Sequence, residues 1–245
     1  MSRHCVRALV RVGLRVHVAS PRRTAAALAL AAASLLLAAC GSKPPQPDWQ
    51  MNAHAEMQRT LDAYLSGDAR VEALASERAR SEIARTGRLE LMARAELMRC
   101  AARTASLVFE ACGAVDALQA DAAAADAAYA RYLAAGAMSA SDLALLPAAQ
   151  RPFAAPHVGS AADAAALQQI EDPLSRLVAA AVLLRAGQAH PAAMAVAADT
   201  ASAQGWRRPL LAWLKVQLRL AQQGGDNAET QRLQRRIDLV QGPSR

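Results

Sequence analysis

Residues 173–205, PLSRLVAAAVLLRAGQAHPAAMAVAADTASAQG, and residues 209–242, PLLAWLKVQLRLAQQGGDNAETQRLQRRIDLVQG, follow one plan. Pro173-Leu174 recurs as Pro209-Leu210, Val182 as Leu218 and Leu184 as Leu220, each 36 residues on. One residue of slippage follows, after which Gly187 matches Gly224, Val196 matches Leu233, Ala203 matches Val240 and Gly205 matches Gly242, each at 37. Each copy reads as a helix, a short glycine-containing turn, a second helix and a glycine stop. A period of this size marks stacked helical hairpins, in which one hairpin cannot bury its apolar face alone and neighbours must cover it.

The N-terminal part carries the same logic. From Trp49 to Ser66 the apolar residues Met57, Leu61, Tyr64 and Leu65 keep helical spacing, and Gly67-Asp68 ends the run. A second helix is predicted from about Ala69 to Thr86, closed by Gly87, and a third from about Arg88 to Arg103 with Leu91, Ala95 and Met98 on one face. Leu107 to Ala135 reads as helix, interrupted near Gly113 and stopped by Gly136. Pro147, Pro152, Pro156 and Gly159 then divide the chain into short pieces until Ser160-Ala-Ala-Asp163 starts a helix to about Ile170. The expected layout is an N-terminal helical region (49–136), an irregular connector (137–160) and C-terminal repeats (161–245). Aromatic residues are only 3% of the chain. Alanine, the best helix former and a small side chain that still buries, supplies much of the apolar share. An all-α protein with thin, close-packed layers is the expectation.

Helix pairs of this period with small residues at the contacts resemble tetratricopeptide-like (TPR-like) repeats. The resemblance rests on Tyr64-Leu65 and Gly67-Asp68 with Ala73 and Ala79, on Leu184 and Gly187 with Ala193 and Ala197, and on Leu220, Gly224 and Asp226. Most consensus aromatics are missing and the middle third does not fit. The resemblance implies a TPR-like α-solenoid or irregular stacked hairpins, a fold suited to holding peptides or proteins.

Upstream of the helices, Ala25 to Ala39 are alanine and leucine apart from Ser34, and a basic segment ending in Arg22-Arg23 precedes them. This is the layout of a secretory signal, too short to span a bilayer comfortably, which takes about 20 apolar residues. At its end Leu37-Ala38-Ala39-Cys40 resembles the lipobox of bacterial lipoproteins in all four positions. The resemblance implies that residues 1–39 are a cleaved signal peptide, that Cys40 carries lipid, and that the protein is attached to a membrane through that lipid. Gly41, where an aspartate would imply retention at the inner membrane, implies the outer membrane, periplasmic face. Residues 40–48, with Pro44, Pro45 and Pro47, read as the lipidated cysteine and an extended tether.

The net charge of +7 is a property of the signal. The chain has 28 Lys and Arg against 21 Asp and Glu, and residues 1–40 hold six of the arginines (Arg3, Arg7, Arg11, Arg15, Arg22 and Arg23) and no acid. The mature part therefore carries 22 basic and 21 acidic groups. No nucleic-acid partner is expected, because that would require a basic stripe on the folded domain.

With Cys5 in the signal and Cys40 at the lipid, Cys100 and Cys112 remain as a disulfide candidate in an oxidising compartment. On one straight helix they would lie about 18 Å apart, beyond the reach of a bridge. A reversal near Thr104-Ala105-Ser106 would bring them face to face across a helical hairpin. The alternative is two unpaired buried thiols.

Catalytic and metal-binding patterns are absent from the sequence. His54, His157 and His190 have no metal-ligand spacing, and neither a nucleophile elbow nor a phosphate-cradling glycine loop occurs. No cofactor, metal or enzymatic activity is expected. The most distinctive mature segment is Trp206-Arg207-Arg208, ahead of a helix on which Trp213 shares the apolar face with Leu210 and Leu214. Trp213 is expected in the core. Trp206, Arg207 and Arg208 are candidate partner contacts, since tryptophan and arginine are the residues most enriched at binding hot spots; the alternative for them is capping of the repeat core. Two functions are compatible with these features: a helical-repeat interaction module or adaptor in the cell envelope, and a small-ligand-binding or enzymatic helical lipoprotein with a pocket under residues 137–160.

Overall fold

A computed structural model describes residues 46–110, 112–155 and 158–242, and among them every regular element is helical. The chain is an all-α protein. The expected signal segment, Cys40, most of the expected tether and His157 lie outside the described residues. No helix among those described is long and apolar enough to cross a membrane.

The elements are α1 (Asp48–Ser66), α2 (Ala69–Ala84), α3 (Leu89–Ala105), α4 (Gly113–Asp116), α5 (Ala124–Leu133), α6 (Ala140–Leu145), α7 (Ala162–Gln168), α8 (Pro173–Arg185), α9 (Pro191–Ala203), α10 (Arg207–Gln223) and α11 (Asn227–Gln241). Short 3-10 turns occur at Gln119–Asp121 and Arg151–Phe153. Local chemistry sets most of the boundaries. Asp68 caps α2 by accepting from the Val71 amide at 3.0 Å. Asp172 caps α8 from the Ser175 amide at 2.7 Å, with Pro173 as first helical residue. His190 Nδ1 accepts from the Ala192 amide at 3.1 Å ahead of Pro191.

Two expectations need correction. The turn glycines pair differently from the expectation: Gly187 (φ 71°) is left-handed, and in the α10–α11 turn the left-handed residue is Gly225 (φ 70°), 38 positions on, whereas Gly224 is right-handed (φ −80°). The helix α10 starts two residues ahead of Pro209, so Pro209 and Pro173 do not occupy equivalent positions. The second correction concerns 107–135, which is not one interrupted helix. The end of α3 closes by a reversal in which the Val108 amide bonds the Arg103 carbonyl at 2.9 Å and Leu107 turns left-handed (φ 59°). Helix resumes only as α4 and α5. Alanine's helix propensity is overridden here by long-range ties: Cys112 is joined back to Cys100, and Val115 is buried in the core.

The helices α8, α9, α10 and α11 pack in succession, each on the next. The N-terminal hairpin α1–α2 returns to this array, with α3 against α8 and α1 against α10, so the stack does not follow chain order. Its centre is built from Leu177, Leu183, Leu214, Leu233 and Trp213, all without appreciable exposure. Ala179, Ala180 and Ala181 on α8 and Ala197 and Ala201 on α9 are equally buried, and their small side chains let the helices approach closely. The indole of Trp213 donates to the Ala105 carbonyl at 3.2 Å, which ties the second repeat to an orphan carbonyl at the end of α3.

The connector is irregular and packed. Ser139 and Asp142 form a reciprocal capping box at α6, and Leu146, Gln150 and Phe153 point into the core. The Tyr132 hydroxyl and Gln150 Oε1 share a buried hydrogen bond of 2.7 Å, while Gln150 Nε2 donates to the Ser175 carbonyl at 3.1 Å. Arginines meet the loose carbonyls of the short helices. Arg151 donates to Leu146 at 3.0 Å, Arg176 to Ile170 at 2.6 Å and Arg185 to Leu133 at 3.0 Å. Gly159 is required by a close approach, since a Cβ there would stand 1.6 Å from the Gln188 carbonyl oxygen.

Helix α5 ends like α3, with the Gly136 amide on the Arg131 carbonyl at 3.0 Å and Ala135 rather than glycine at the left-handed position (φ 54°). An L side chain in that region costs about 1–2 kcal/mol. Ala135→Gly is therefore expected to raise the unfolding free energy by about 0.5–1 kcal/mol once the lost methyl packing is offset, read as a higher denaturant midpoint. A lower midpoint would show that the Ala135 methyl contributes more through packing than the strain it imposes.

Candidate functional site

The helices α3, α5 and α8 leave an apolar groove of about 280 Å³ between them, open to solvent along one side. Leu97 and Ala101 of α3 and Val178 of α8 form its floor, all buried. Leu61 from α1 and Met98, Tyr129 and Leu174 make the walls. Leu145 and Pro147 of the connector form the lip, and Leu145 is 43% exposed.

Charge is confined to the rim. Arg94 donates to both Asp126 carboxylate oxygens, at 3.2 and 3.3 Å, and Asp172 stands at the far edge with one oxygen on the Ser175 amide. The neighbouring tyrosines Tyr129 and Tyr132 have ring centroids 5.8 Å apart. Burial pushes the Tyr132 hydroxyl well above the usual phenol range, and burial followed by the negative charge of Asp172 does the same to Tyr129. Both hydroxyls stay protonated at neutral pH and act as neutral hydrogen-bonding groups.

A second hollow of about 200 Å³ lies beside the cysteine pair, lined by Glu96, Arg99, Arg103 and Glu110 among others. Glu96 is only 4% exposed, yet its carboxylate is met by Arg80 at 2.6 Å and Arg99 at 2.9 Å. This arrangement fastens α2 to α3, because removing either arginine would leave a buried charge less compensated. Cys100 and Cys112 are joined as a disulfide, with Cα atoms 5.9 Å apart. The reversal of the chain falls where it was expected, after Ala105, but the returning arm is an irregular segment rather than a second helix.

Trp206, Arg207 and Arg208 lie where α10 meets the N-terminal hairpin. Trp206 packs against the cluster of Leu61, Tyr64, Leu65 and Ala102. Arg208 spans the joint, with its guanidinium 4.4 Å from the Tyr64 ring centroid and Nη1 3.2 Å from the Glu72 carboxylate. Arg103 approaches the same ring at 5.9 Å. Arg207, the exposed member, donates to the Gln241 carbonyl at 2.8 Å. All three make contacts within the chain, and Arg207 keeps the largest free surface.

Among the described residues no cluster of three or more His, Cys, Asp or Glu side chains could hold a metal ion. The groove itself was not legible in the sequence, because its walls come from four helices and the connector. The fold and site together define a class, an all-α protein of packed helical hairpins with an open apolar groove. Comparison of the chain with protein families, with curated proteins and with solved structures finds no match.

Proposed function

We propose that this chain is an outer-membrane-anchored periplasmic lipoprotein whose TPR-like helical-repeat domain acts as an interaction module or adaptor for another envelope protein or peptide. The observation that carries the reading is the open apolar groove, on a domain that the sequence places behind a lipobox and a proline-rich tether. A tether that holds the groove near one membrane raises its effective concentration toward partners there. The near-neutral mature charge fits a protein partner rather than nucleic acid. Exposed Arg207, with Trp206 and Arg208 behind it, remains a candidate second contact on the same domain.

A small-ligand reading has one observation in its favour, the lip that Leu145 and Pro147 of the 137–160 segment place over the groove. The open side favours a peptide, since small-molecule sites enclose most of their ligand.

The anchoring half is tested by metabolic labelling with a radioactive fatty acid. The wild-type chain is expected to take up label and to sediment with the outer membrane. Cys40→Ala is expected to take up none and to keep residues 1–39, read by intact mass. Label on the Cys40→Ala chain, or an unlabelled wild-type chain, would refute lipidation at this position.

A further inference from the structure

Much of the lip and rim of the groove comes from residues 110–172, a segment with a net acidic charge. The segment carries Glu110, Asp116, Asp121, Asp126, Asp142, Asp163, Glu171 and Asp172 against only Arg131 and Arg151 and no lysine. The mature chain as a whole is nearly balanced, and the compensating positive charge lies elsewhere: residues 173–245 hold ten basic and four acidic side chains. Of these acids Asp126 and Asp172 line the groove, with Arg94 beside Asp126, while the basic excess belongs to α8–α11. Asp172 stands at the groove edge, exposed and with no ion-pair partner among the described residues. Across the groove, Asp126 is neutralised only by Arg94, itself mostly exposed.

We propose that the groove receives a basic apolar segment of a partner protein, one that inserts one or two large aliphatic or aromatic side chains between α3, α5 and α8 and sets a neighbouring Lys or Arg against Asp172. This rests on the interaction-module reading and adds to it the chemistry of the partner. Leu145, 43% exposed at the lip, would be covered by the incoming segment. The acidic rim would speed encounter with a cationic segment and reject an anionic one.

The test is fluorescence anisotropy of the full chain in mild detergent with three short synthetic helical peptides. One alternates leucine and lysine faces, a second replaces lysine by glutamate, and a third replaces leucine by serine. The leucine–lysine peptide is expected to bind saturably at one site, and each of the other two about tenfold or more weaker. Leu145→Ser and Asp172→Ser are expected to weaken that binding several-fold; serine at 172 keeps the helix cap and removes only the charge. Thermal melts matching the wild type confirm that both variants are folded. Equal binding of the serine–lysine peptide, or binding untouched by both variants, would overturn the proposal by reducing it to general surface attraction. Binding of the leucine–glutamate peptide that Leu145→Ser abolishes would overturn the basic preference and leave the interaction module standing. Absence of binding by every peptide, with a partner still recovered from the envelope, would do the same.

Discussion

Trp213→Ala is expected to cost the domain about 3–5 kcal/mol, a large part of the roughly 5–15 kcal/mol that holds a domain of this kind together. Trp213 is fully buried among Leu210, Leu214 and the α3 end, so truncation removes the largest side chain of the core and leaves a cavity. It also withdraws the donor from the Ala105 carbonyl, which has no other described partner at that reversal. Chemical denaturation followed by circular dichroism should show a midpoint collapse or loss of the cooperative transition. Trp206→Ala, at a half-buried position on the joint, should cost about 1–2 kcal/mol by area alone. Equal costs at the two tryptophans, or a Trp213→Ala cost below that of Trp206→Ala, would contradict the placement of the core.

The second large effect appears in alkali. Tyr132 is buried with its hydroxyl on Gln150, and its folded pKa lies well above the ordinary value near 10. In the unfolded chain the phenol releases its proton near pH 10, while in the folded chain it is retained. Above pH 10 the folded state thus binds more protons, and stability falls as pH rises, by about 1.4 kcal/mol per pH unit for this one group. Below pH 10 the contribution is fully present. Tyr129, half-buried beside it, acts in the same direction. Tyr132→Phe should cost about 1–3 kcal/mol at neutral pH, because Gln150 Oε1 loses its donor inside the core. Its deficit should shrink as pH rises beyond 10, where only the wild type has an unfolded phenolate to favour. Parallel pH profiles for wild type and Tyr132→Phe would show that Tyr132 titrates alike in both states.

The parts of the fold that were legible in the sequence are those fixed by chemistry within a turn of the chain. Gly67-Asp68 and Pro173 mark helix ends through caps and backbone geometry that need no distant partner. Trp213 was legible as core because Leu210 and Leu214 share its face. The adjacent glycines Gly224 and Gly225 gave no local reason to prefer one as the left-handed residue, and Gly187 was matched to Gly224 rather than to Gly225. Residues 107–135 misled for a different reason. Their composition favours helix, but Leu107 and Ala135 occupy left-handed positions normally filled by glycine, and Cys112 is tied to a residue on another element. Trp206-Arg207-Arg208 read as candidate partner contacts by residue type or as capping of the repeat core; no local pattern could indicate that Arg208 meets a carboxylate 136 positions away, at Glu72. The groove depends on α3, α5 and α8 meeting, and nothing in the sequence near Leu97, Tyr129 or Val178 announces that meeting.

The proposed function requires a lipid-anchored helical domain to hold another envelope protein. The most direct measurement is cross-linking of the intact chain in its native envelope, with mass spectrometry of what is recovered, for the wild type and for Leu145→Ser. One reproducible envelope protein is expected, cross-linked at the groove through a basic apolar segment and depleted in the variant. Recovery of the chain alone with a small molecule retained in the groove would contradict it.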